Sequence, residues 1–427
     1  MLKLAVIGHP VAHSLSPTMH RANLHALGLE GSYEKLDVAP EGLGEAVRRF
    51  RDEGYAGLNV TIPHKQAVIP LLDHVDLSVA RYGACNTLKF EPDGTLTGFN
   101  TDVIGFGETL SAHGFSLKSA RVTVAGCGGA GGALAAYAAY EGAARVAVAG
   151  RSADKVGAVV ARLRGLGLAS EIVGLTLGSP DCLREARASD LVVNATPLGL
   201  KPGDDAPLPA AAFRPGQFAF DIIPTRARPP MAKVAAAAGA VALDGLEFLV
   251  GQGAKSFELW TGRVADRAVM MASLREVIFL YGPPASGKST LGRKVAAQRG
   301  AAFVDLDDEI VRRERCTIPA IFAARGEPGF RDAESAALAA TVASVTGPTV
   351  VALGGGTLLR DANRRLCEAV GKVYCLQAPS AAELTRRIGL AAGSRPLGDK
   401  AKERAAHYAS FPLQVDAERA LDEIGLA

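Results

Sequence analysis

Two glycine-rich loops of the kind that bind nucleotide phosphates lie in this single chain of 427 residues. The first occupies residues 126–131 and follows the apolar run 121–125; the second occupies residues 282–290 and follows the similar run 277–281. Each loop leads directly into a stretch of helical character. Because backbone N–H groups at the start of a helix bind phosphate, a glycine-rich loop between a strand and a helix predicts a phosphate site. The pattern therefore indicates two nucleotide-dependent enzymes in series.

The composition is that of an ordinary globular protein, with 48% hydrophobic and 21% charged residues. At roughly 100 to 200 residues per domain, the length predicts two or three domains. A formal net charge of +3 favours neither a nucleic acid nor a membrane as partner, so small molecules are the expected partners. The six cysteines lack metal-ligand spacing and the chain opens on a strand pattern instead of a signal peptide, which predicts a cytoplasmic protein. No feature favours a particular oligomeric state.

Short β-branched runs alternate with helical patterns along the whole chain. This rhythm is typical of βαβ units, so the predicted fold class is α/β with parallel sheets. The alanine-rich segment 234–243 is predicted to be a buried helix and strand, because it is too short to cross a bilayer. The predicted strands are residues 4–7, 57–60, 121–125, 144–149, 190–193, 218–222, 277–281, 303–305, 349–353 and 372–376.

Three domains are expected from this order. An opening α/β domain would span residues 1–105 and be completed by residues 240–272, with a Rossmann nucleotide domain at 106–239 between the two pieces. A P-loop domain with a parallel sheet would follow at 275–427. The main boundary is placed at 271–275, where a helical segment containing Trp260 and Met270 gives way to a strand and, at once, to the second phosphate loop.

The first loop has the spacing Gly-x-Gly-x-x-Gly, a weak signal alone that its strand-loop-helix context strengthens. A cofactor with a free ribose 2′-hydroxyl requires an acidic residue about 20 positions further on. This chain has Gly150-Arg151-Ser152 there instead, and an arginine suits the 2′-phosphate of NADP(H). The alternative is that Arg151 is a solvated residue at a strand end.

The second loop fits the P-loop pattern in full, from Gly282 to Thr290. Backbone N–H groups would surround the phosphates of ATP, Lys288 would add a positive charge and Ser289 would bind Mg²⁺. A purely structural loop is the alternative. The predicted ATP-binding residues are Gly282, Ser286, Gly287, Lys288, Ser289, Thr290 and, from a separate segment, Arg395.

Four further motifs precede the first loop: residues 13–17 (His-Ser-Leu-Ser-Pro), 59–65 (Asn-Val-Thr-Ile-Pro-His-Lys), 83–88 and 98–102. Each alone has an ordinary explanation, such as a helix cap for Ser14 and Ser16 or a turn for Asn86. Together, and in this order, they make residues 1–272 resemble shikimate dehydrogenase. The resemblance implies a substrate site, a catalytic pair and a cofactor site. The substrate residues are Ser14 and Ser16 for the carboxylate and Asn59, Thr61, Asn86 and Gln252 for ring hydroxyls; the catalytic pair is Lys65 and Asp102; the cofactor residues are Gly126, Gly128, Gly129, Ala130, Gly131, Arg151, Asn194 and Thr196.

The lysine–aspartate pair that the resemblance implies suits the reduction of a ketone. Hydride reduction of a ketone leaves an alkoxide that must be stabilised and protonated, and an ammonium beside a carboxylate can do both. The hydride comes from the cofactor. One position departs from the family pattern: the segment that begins at Asp221 has Pro224 where a tyrosine is usual. We expect this change to alter substrate affinity and not to abolish activity.

The chain after the second loop carries residues 304–307, 329–334, 353–356 and 394–397, and then Arg404 and Tyr408. With these motifs, residues 275–427 resemble shikimate kinase. The resemblance implies an acceptor site in which an arginine pair grips the substrate carboxylate through charge-assisted bonds. The members of this acceptor site are Asp307 as the base for the attacking hydroxyl, Arg331 and Arg404 for the carboxylate, and Gly354, Gly355 and Gly356 for close backbone approach. Outside the acceptor site, the resemblance implies that Arg395 reaches the ATP from a lid and that Ser289 and Asp305 serve magnesium.

For some charged residues a functional role is less well supported by the sequence. Arg404 lies in a helical pattern where a solvated side chain is common, and Asp308 and Glu309 are interpreted as ordinary helix-start carboxylates. A metal site is rejected for His9, His13, His20 and His25, because no carboxylate or cysteine stands in register with them.

The prediction is a fused enzyme that reduces 3-dehydroshikimate with NADPH and then phosphorylates shikimate with ATP, two consecutive steps toward chorismate and the aromatic amino acids. One alternative is a quinate-specific, NAD-dependent first half, against which Arg151 argues. A second is a metabolite-sensing protein without turnover, against which the intact Lys65, Asp102, Lys288 and Asp307 argue.

Overall fold

The computed structural model describes residues 1–201, 203–225, 228–377 and 404–415, together with Leu421 and Ile424. By its internal contacts the chain divides into two compact units, Met1–His20 with Glu30–Arg267, and Arg21–Leu29 with Ala268–Ala427. The described strands of the first unit form two sheets, and those of the second form one. None of the helices in these described segments is both long and apolar enough to cross a membrane.

The first sheet has the strand order β2-β1-β3-β5-β6-β4. Its strands are β1 (Leu2–Gly8), β2 (Gly31–Asp37), β3 (Gly57–Val60), β4 (His74–Val75), β5 (Thr87–Phe90) and β6 (Leu96–Phe99). Its helices are α1 (Ser16–Ala26), α2 (Leu43–Asp52), α3 (His64–Ala67) and α4 (Leu77–Tyr82).

This sheet is mixed, whereas the sequence predicts parallel sheets. Strand β1 pairs in parallel with β2 and β3, but β5 runs antiparallel to both β3 and β6. The turn Pro92-Asp93-Gly94, with Gly94 at φ 85°, connects β5 directly to β6. A connection this short permits only antiparallel pairing.

The second sheet is parallel, in the order β12-β11-β10-β7-β8-β9. Its strands are β7 (Arg121–Ala125), β8 (Arg145–Gly150), β9 (Glu171–Thr176), β10 (Leu191–Asn194), β11 (Phe218–Asp221) and β12 (Val241–Leu243). Its helices are α5 (Asp102–Ala112), α6 (Gly129–Tyr140), α7 (Ala153–Arg164), α8 (Pro180–Ala188), α9 (Pro230–Ala237) and α10 (Gly245–Thr261).

The strand order reverses at β7, with β8 on one side and β10 on the other. The first glycine-rich loop follows β7, so it lies at the carboxyl edge of the sheet where open α/β sheets bind ligands. Helix α10 then packs against α5, and its Trp260 Nε1 donates to the carbonyl oxygen of Leu88 in β5 at 2.8 Å. Through this hydrogen bond, α10, which follows the last strand of the second sheet, contacts the first sheet.

The third sheet is also parallel and has the order β14-β15-β13-β16-β17. Its strands are β13 (Val277–Tyr281), β14 (Ala302–Asp305), β15 (Thr349–Ala352), β16 (Gly371–Leu376) and β17 (Leu413–Val415). The helices are α11 (Arg267–Ser273), α12 (Lys288–Arg299), α13 (Leu306–Glu314), α14 (Ile318–Ala343), α15 (Asp361–Val370) and α16 (Ala405–Ala409).

Helix α14 is interrupted at Gly326, which has φ 68°. Pro328 follows two residues later and lacks the N–H that a continuing helix would need, so the helix restarts beyond the break. The second part carries Arg331 and Glu334. The break therefore sets the direction from which these two side chains approach the end of the sheet.

Candidate active sites

Lys65 and Asp102 form the central ion pair of the first unit. Lys65 lies in α3 and Asp102 is the first residue of α5, and the distance from Lys65 Nζ to Asp102 Oδ2 is 2.5 Å. The carboxylate is almost wholly buried and the ammonium nearly so, with side chains 3% and 13% exposed. A shielded ammonium held by a carboxylate can donate a proton to a developing alkoxide and stabilise its charge.

Asn86 connects this ion pair to α10. Its Nδ2 donates to Asp102 Oδ1 at 2.8 Å and to Gln252 Oε1 at 3.1 Å. Thr101 completes the group, since Asn86 Nδ2 lies 2.9 Å from its Oγ1. The structure thus brings together four of the predicted substrate residues, Lys65, Asp102, Asn86 and Gln252, from four separate segments.

Asn59 lies next to this group, and its Nδ2 donates to the backbone oxygen of Asn86 at 3.3 Å. Its Oδ1 accepts a hydrogen bond from the Tyr33 hydroxyl at 2.6 Å, and its Nδ2 donates to Ser256 Oγ at 3.1 Å. Both ends of the amide are therefore engaged within the protein. The Tyr33 hydroxyl also hydrogen-bonds Ser16, and burial raises the pKa of the phenol well above its usual value. Tyr33 and Ser256 join the substrate residues although the sequence motifs do not include them.

The remaining predicted substrate residues lie on neighbouring loops. Ser14 is half-buried and its Oγ accepts from the backbone N–H of Ser16 at 3.3 Å, so it also acts at the start of α1. Thr61 is half-buried beside the end of β1, where its backbone N–H donates to Ile7 O at 2.9 Å. Neither hydroxyl belongs to the Lys65 network.

A cavity of about 1010 Å³ extends from Lys65 along the first glycine-rich loop. Gly126 at the loop start has φ 119°, and a Cβ there would lie 2.5 Å from the carbonyl oxygen of Ala195; only glycine fits this position. The predicted cofactor residues that line the cavity are Gly126, Gly128, Gly129, Ala130, Arg151 and Thr196.

The other two predicted cofactor residues, Gly131 and Asn194, do not line the cavity but support the residues that do. A side chain at Gly131 would collide with the backbone oxygen of Gly126, so its part is to let the helix approach the loop closely. Asn194 is fully buried, with Oδ1 accepting from the Thr196 N–H at 2.9 Å and Nδ2 donating to Asp221 Oδ1 at 3.0 Å. It holds the Thr196 segment in place without reaching the cavity. Burial raises the pKa of Asp221 to about 7.

Basic side chains outnumber the single acidic one, Asp204, in the lining of this cavity. Besides Lys65 and Arg151, its lining includes Lys155, Arg162 and Lys201. Arg162 Nη2 donates to Gly132 O at 2.9 Å, and burial lowers the pKa of this guanidinium. Lys155 and Arg162 are seven positions apart on α7, so helical periodicity after Arg151 is the signal that could have revealed them. Such a lining suits a dinucleotide with several phosphate groups.

The second unit places its glycine-rich loop between β13 and α12. Lys288 Nζ donates to the carbonyl oxygens of Gly282 at 2.9 Å and Pro283 at 2.8 Å. Burial lowers the pKa of Lys288 to about 8, although Asp307 and Asp305 oppose the shift. The loop borders a cavity of about 910 Å³. The predicted residues that line it are Ser286, Gly287, Lys288, Ser289, Thr290, Asp305, Asp307, Gly354 and Gly355.

The predicted magnesium ligands lie next to each other in that cavity. Ser289 Oγ donates to Asp305 Oδ2 at 2.6 Å. A hydroxyl and a carboxylate are hard oxygen donors, and Mg²⁺ in nucleotide sites takes one or two protein oxygens together with water and phosphate. These two side chains fit that requirement.

Asp307 lies in the first turn of α13 and also lines this cavity. Burial, together with the nearby charges of Asp305 and Glu334, raises its pKa to about 6. The group is still mainly a carboxylate at neutral pH, and a raised pKa makes it a better proton acceptor than an exposed aspartate.

Arg331 forms a buried pair with Glu334, at 2.5 Å between Nη1 and Oε2. Glu334 is 1% exposed and also accepts from Thr357 Oγ1 at 2.7 Å. Burial alone would lower the pKa of Arg331, but Glu334 and Glu327 outweigh it and raise that pKa. The role of Glu334 as the partner of Arg331 was not predicted, although the i,i+3 spacing on one helix is a signal for it.

The glycine run 354–356 joins Asp307 to Arg331. A Cβ at Gly354 would lie 3.4 Å from Asp307 Oδ1, and one at Gly356 would lie 2.9 Å from Arg331 Cζ. Arg404 Nη1 donates to Gly355 O at 3.3 Å. Arg395 falls outside the described residues.

Two nucleotide-type cavities, one beside a Rossmann sheet and one beside a P-loop sheet, define the chain as a dehydrogenase joined to a kinase. Residues 6–88 match the family model of the shikimate dehydrogenase substrate binding domain, residues 245–275 that of the shikimate 5′-dehydrogenase C-terminal domain, and residues 284–414 that of shikimate kinase. The NADP(+) shikimate dehydrogenase of Moorella thermoacetica is 40% identical over 287 residues, which cover 67% of this chain and 97% of that protein.

Solved structures agree with this assignment. The shikimate 5-dehydrogenase of Thermus thermophilus, in complex with NADP(H) and shikimate, is 39% identical with a TM-score of 0.57, covering 64% of this chain and 98% of that one. A quinate dehydrogenase of Corynebacterium glutamicum, in complex with NAD, is 31% identical with a TM-score of 0.56, covering 63% and 97%. The chain belongs to the shikimate dehydrogenase family and carries a shikimate kinase domain after it. Both predicted resemblances and the α/β fold class are confirmed.

Proposed function

We propose that this chain is a bifunctional enzyme of chorismate and aromatic amino acid biosynthesis. Its first half reduces 3-dehydroshikimate to shikimate with NADPH, and its second half phosphorylates shikimate to shikimate 3-phosphate with ATP. One observation carries the proposal: in each half, catalytic charges line the cavity beside a phosphate loop, Lys65 in the first and Lys288 with Asp307 in the second. Both reactions are assigned to the cytoplasm, and the partners are small molecules.

The proposed domains follow the same division. Residues 1–105 and 240–272 form the shikimate dehydrogenase substrate domain, residues 106–239 form the NADP-binding Rossmann domain, and residues 275–427 form the shikimate kinase domain. The contact of Trp260 with Leu88 supports assigning α10 to the substrate domain.

In the dehydrogenase, the cofactor supplies the hydride when bound. Lys65 donates a proton to the oxygen that becomes the new hydroxyl, and Asp102 at 2.5 Å orients the Lys65 ammonium. Asn86 and Gln252 hold ring hydroxyls, and they are already hydrogen-bonded to each other beside the ion pair.

Ser14 and Ser16 bind the carboxylate, while Asn59 and Thr61 complete the hydroxyl contacts. Pro224, in place of the usual tyrosine, removes one substrate contact and alters affinity.

In the kinase, Asp307 accepts the proton of the attacking hydroxyl, and Lys288 stabilises the charge that spreads over the transferring phosphoryl oxygens. Arg331 and Arg404 hold the substrate carboxylate, with Glu334 fixing the guanidinium of Arg331.

Ser289 and Asp305 would hold Mg²⁺, which supplies charge neutralisation at the phosphates when bound. Arg395 is assigned to ATP binding.

A quinate dehydrogenase that uses NAD is the second candidate for the first half, because a protein of that description is among its structural neighbours. The cationic lining around Arg151 and Lys155 favours NADPH. Reverse assays separate the two directly. Shikimate with NADP⁺ should give much faster absorbance gain at 340 nm than quinate with NAD⁺; the opposite preference would assign the first half to quinate.

Arg151→Ala tests the cofactor assignment at one residue. The 2′-phosphate distinguishes NADPH from NADH, and loss of a charge-assisted hydrogen bond should lower kcat/KM for NADPH on the order of 10- to 150-fold. The value for NADH should stay unchanged. Arg184→Ala, an exposed arginine of the same domain, is the matched control and should affect neither cofactor. Equal losses with both cofactors, or none with NADPH, would show Arg151 to be a solvated strand-end residue.

A further inference from the structure

Three side-chain donors converge on one backbone carbonyl of the kinase unit. The Tyr408 hydroxyl donates to Gly355 O at 2.6 Å, Arg404 Nη1 donates to it at 3.3 Å, and the Tyr281 hydroxyl lies 3.4 Å away. A carbonyl oxygen has two lone pairs and usually accepts one or two hydrogen bonds. The number of donors indicates that the orientation of this carbonyl is under strong control.

Gly355 is the point where the nucleotide loop meets the acceptor site. A Cβ on Gly355 would lie 3.0 Å from Pro284 Cδ and 3.4 Å from Gly282 O, both in the P-loop. On either side, Gly354 lies against Asp307 and Gly356 against Arg331. Tyr281 itself is the last residue of β13, immediately before Gly282.

The orientation of this carbonyl determines where the next N–H points. A trans peptide is planar and its C=O and N–H point in opposite directions, so a fixed Gly355 oxygen also fixes the Gly356 N–H. In the part of the chain that the structure describes, no group accepts a hydrogen bond from that N–H. Gly356 adjoins the Arg331 guanidinium, so this donor and Arg331 are available to the same ligand.

The two phenols are well suited to a fixed role. Tyr408 is 7% exposed and Tyr281 is fully buried, and their ring centroids are 5.3 Å apart. Phe411 packs 5.1 Å from Tyr281. Burial raises the pKa of both phenols, so each hydroxyl keeps its proton and remains a donor over the working pH range.

We propose that Tyr408, assisted by Tyr281, is a positioning residue for the phosphoryl acceptor: it holds the Gly355 carbonyl so that the Gly356 N–H faces the acceptor's anionic and hydroxyl groups beside Arg331. This assignment rests on the proposed kinase function. It implies that Tyr408 controls affinity for the acceptor, while nucleotide affinity depends on the P-loop.

The test is a set of single hydroxyl deletions in the full chain. Tyr408→Phe should raise the KM for shikimate about 5- to 10-fold, the value of one lost hydrogen bond, with the KM for ATP and kcat within about twofold of wild type. Tyr281→Phe should give a smaller rise, because its hydroxyl is 0.8 Å farther from the same oxygen than that of Tyr408 (3.4 minus 2.6 Å). Tyr374→Phe removes a hydroxyl from another buried tyrosine of the same sheet and should change neither KM.

Calorimetric titration with shikimate in the absence of ATP gives a second readout. Because the dehydrogenase half also binds shikimate, the isotherm is fitted with two sites; the Kd of one site should rise with the KM in the same order of variants, and the Kd of the other should stay unchanged. A Tyr408→Phe protein with a lower melting temperature but an unchanged KM for shikimate would overturn the proposal and leave a structural role only. A selective rise in the KM for ATP would overturn it as well. Failure of the wild-type chain to phosphorylate shikimate would instead refute the proposed kinase function, before any variant is compared.

Discussion

Lys65→Ala is expected to slow the turnover of the dehydrogenase by at least about 100-fold, the usual contribution of a positioned acid. The substitution removes the proton donor and leaves the buried carboxylate of Asp102 without the ammonium now 2.5 Å away. Shikimate phosphorylation by the same protein should be unchanged, because no residue is shared between the two sites. The measurement is the turnover rate of both reactions on one preparation.

Lys118→Ala is the matched control, since it removes an exposed lysine from the same half of the chain and should leave both rates unchanged. A melting temperature equal to that of wild type shows that the Lys65→Ala chain is folded. Loss of both activities in a protein that melts like wild type would show that the two halves do not work independently. A dehydrogenase rate within a few-fold of wild type would exclude Lys65 as the proton donor.

Lys288→Ala should have the opposite effect. Its ammonium is buried in the P-loop, where burial lowers its pKa to about 8, and bound phosphates would restore its full charge. Removing a preorganised cation from developing phosphoryl charge costs on the order of 100- to 1,000-fold in kcat. Dehydrogenation should be unaffected. Lys372→Ala, an exposed lysine on β16, is the control for loss of one positive charge in the same domain.

A second measurement separates binding from chemistry for Lys288. If its main task is to stabilise the transferring phosphoryl group, kcat should fall far more than the Kd for ATP rises. A variant that keeps kcat at saturating ATP would make Lys288 a binding residue only.

Much of the fold could be predicted because buried parallel strands are apolar throughout. The apolar runs 121–125 and 277–281 were predicted as strands, and the structure has β7 and β13 at those residues, each followed directly by a phosphate loop. Edge strands carry a weaker signal. In the edge strand β2, Tyr33 is buried while Glu34 and Lys35 are exposed. The edge strand β9 has only one buried residue, Ile172. Neither strand was predicted.

The antiparallel β5–β6 pair had a detectable signal in Pro92-Asp93-Gly94, but the alternation of strands and helices elsewhere favoured parallel sheets. Contacts between distant segments could not be predicted in the same way. Asn59 meets Ser256, which is 197 positions away, and Tyr408 reaches Gly355 across 53 positions. Each partner looks like an ordinary polar residue in its own segment, and only the folded sheet brings the two together.

One chain is expected to catalyse two consecutive reactions, and a single assay measures both. Purified protein with 3-dehydroshikimate, NADPH, ATP and Mg²⁺ should oxidise NADPH at 340 nm and accumulate shikimate 3-phosphate, detected by mass spectrometry. Omitting ATP should stop the sequence at shikimate, and the Lys65→Ala protein should form shikimate 3-phosphate at least about 100-fold more slowly unless shikimate is added. NADPH oxidation without any phosphorylated product, or binding of shikimate and nucleotides without turnover in either half, would show that the chain is not a bifunctional enzyme.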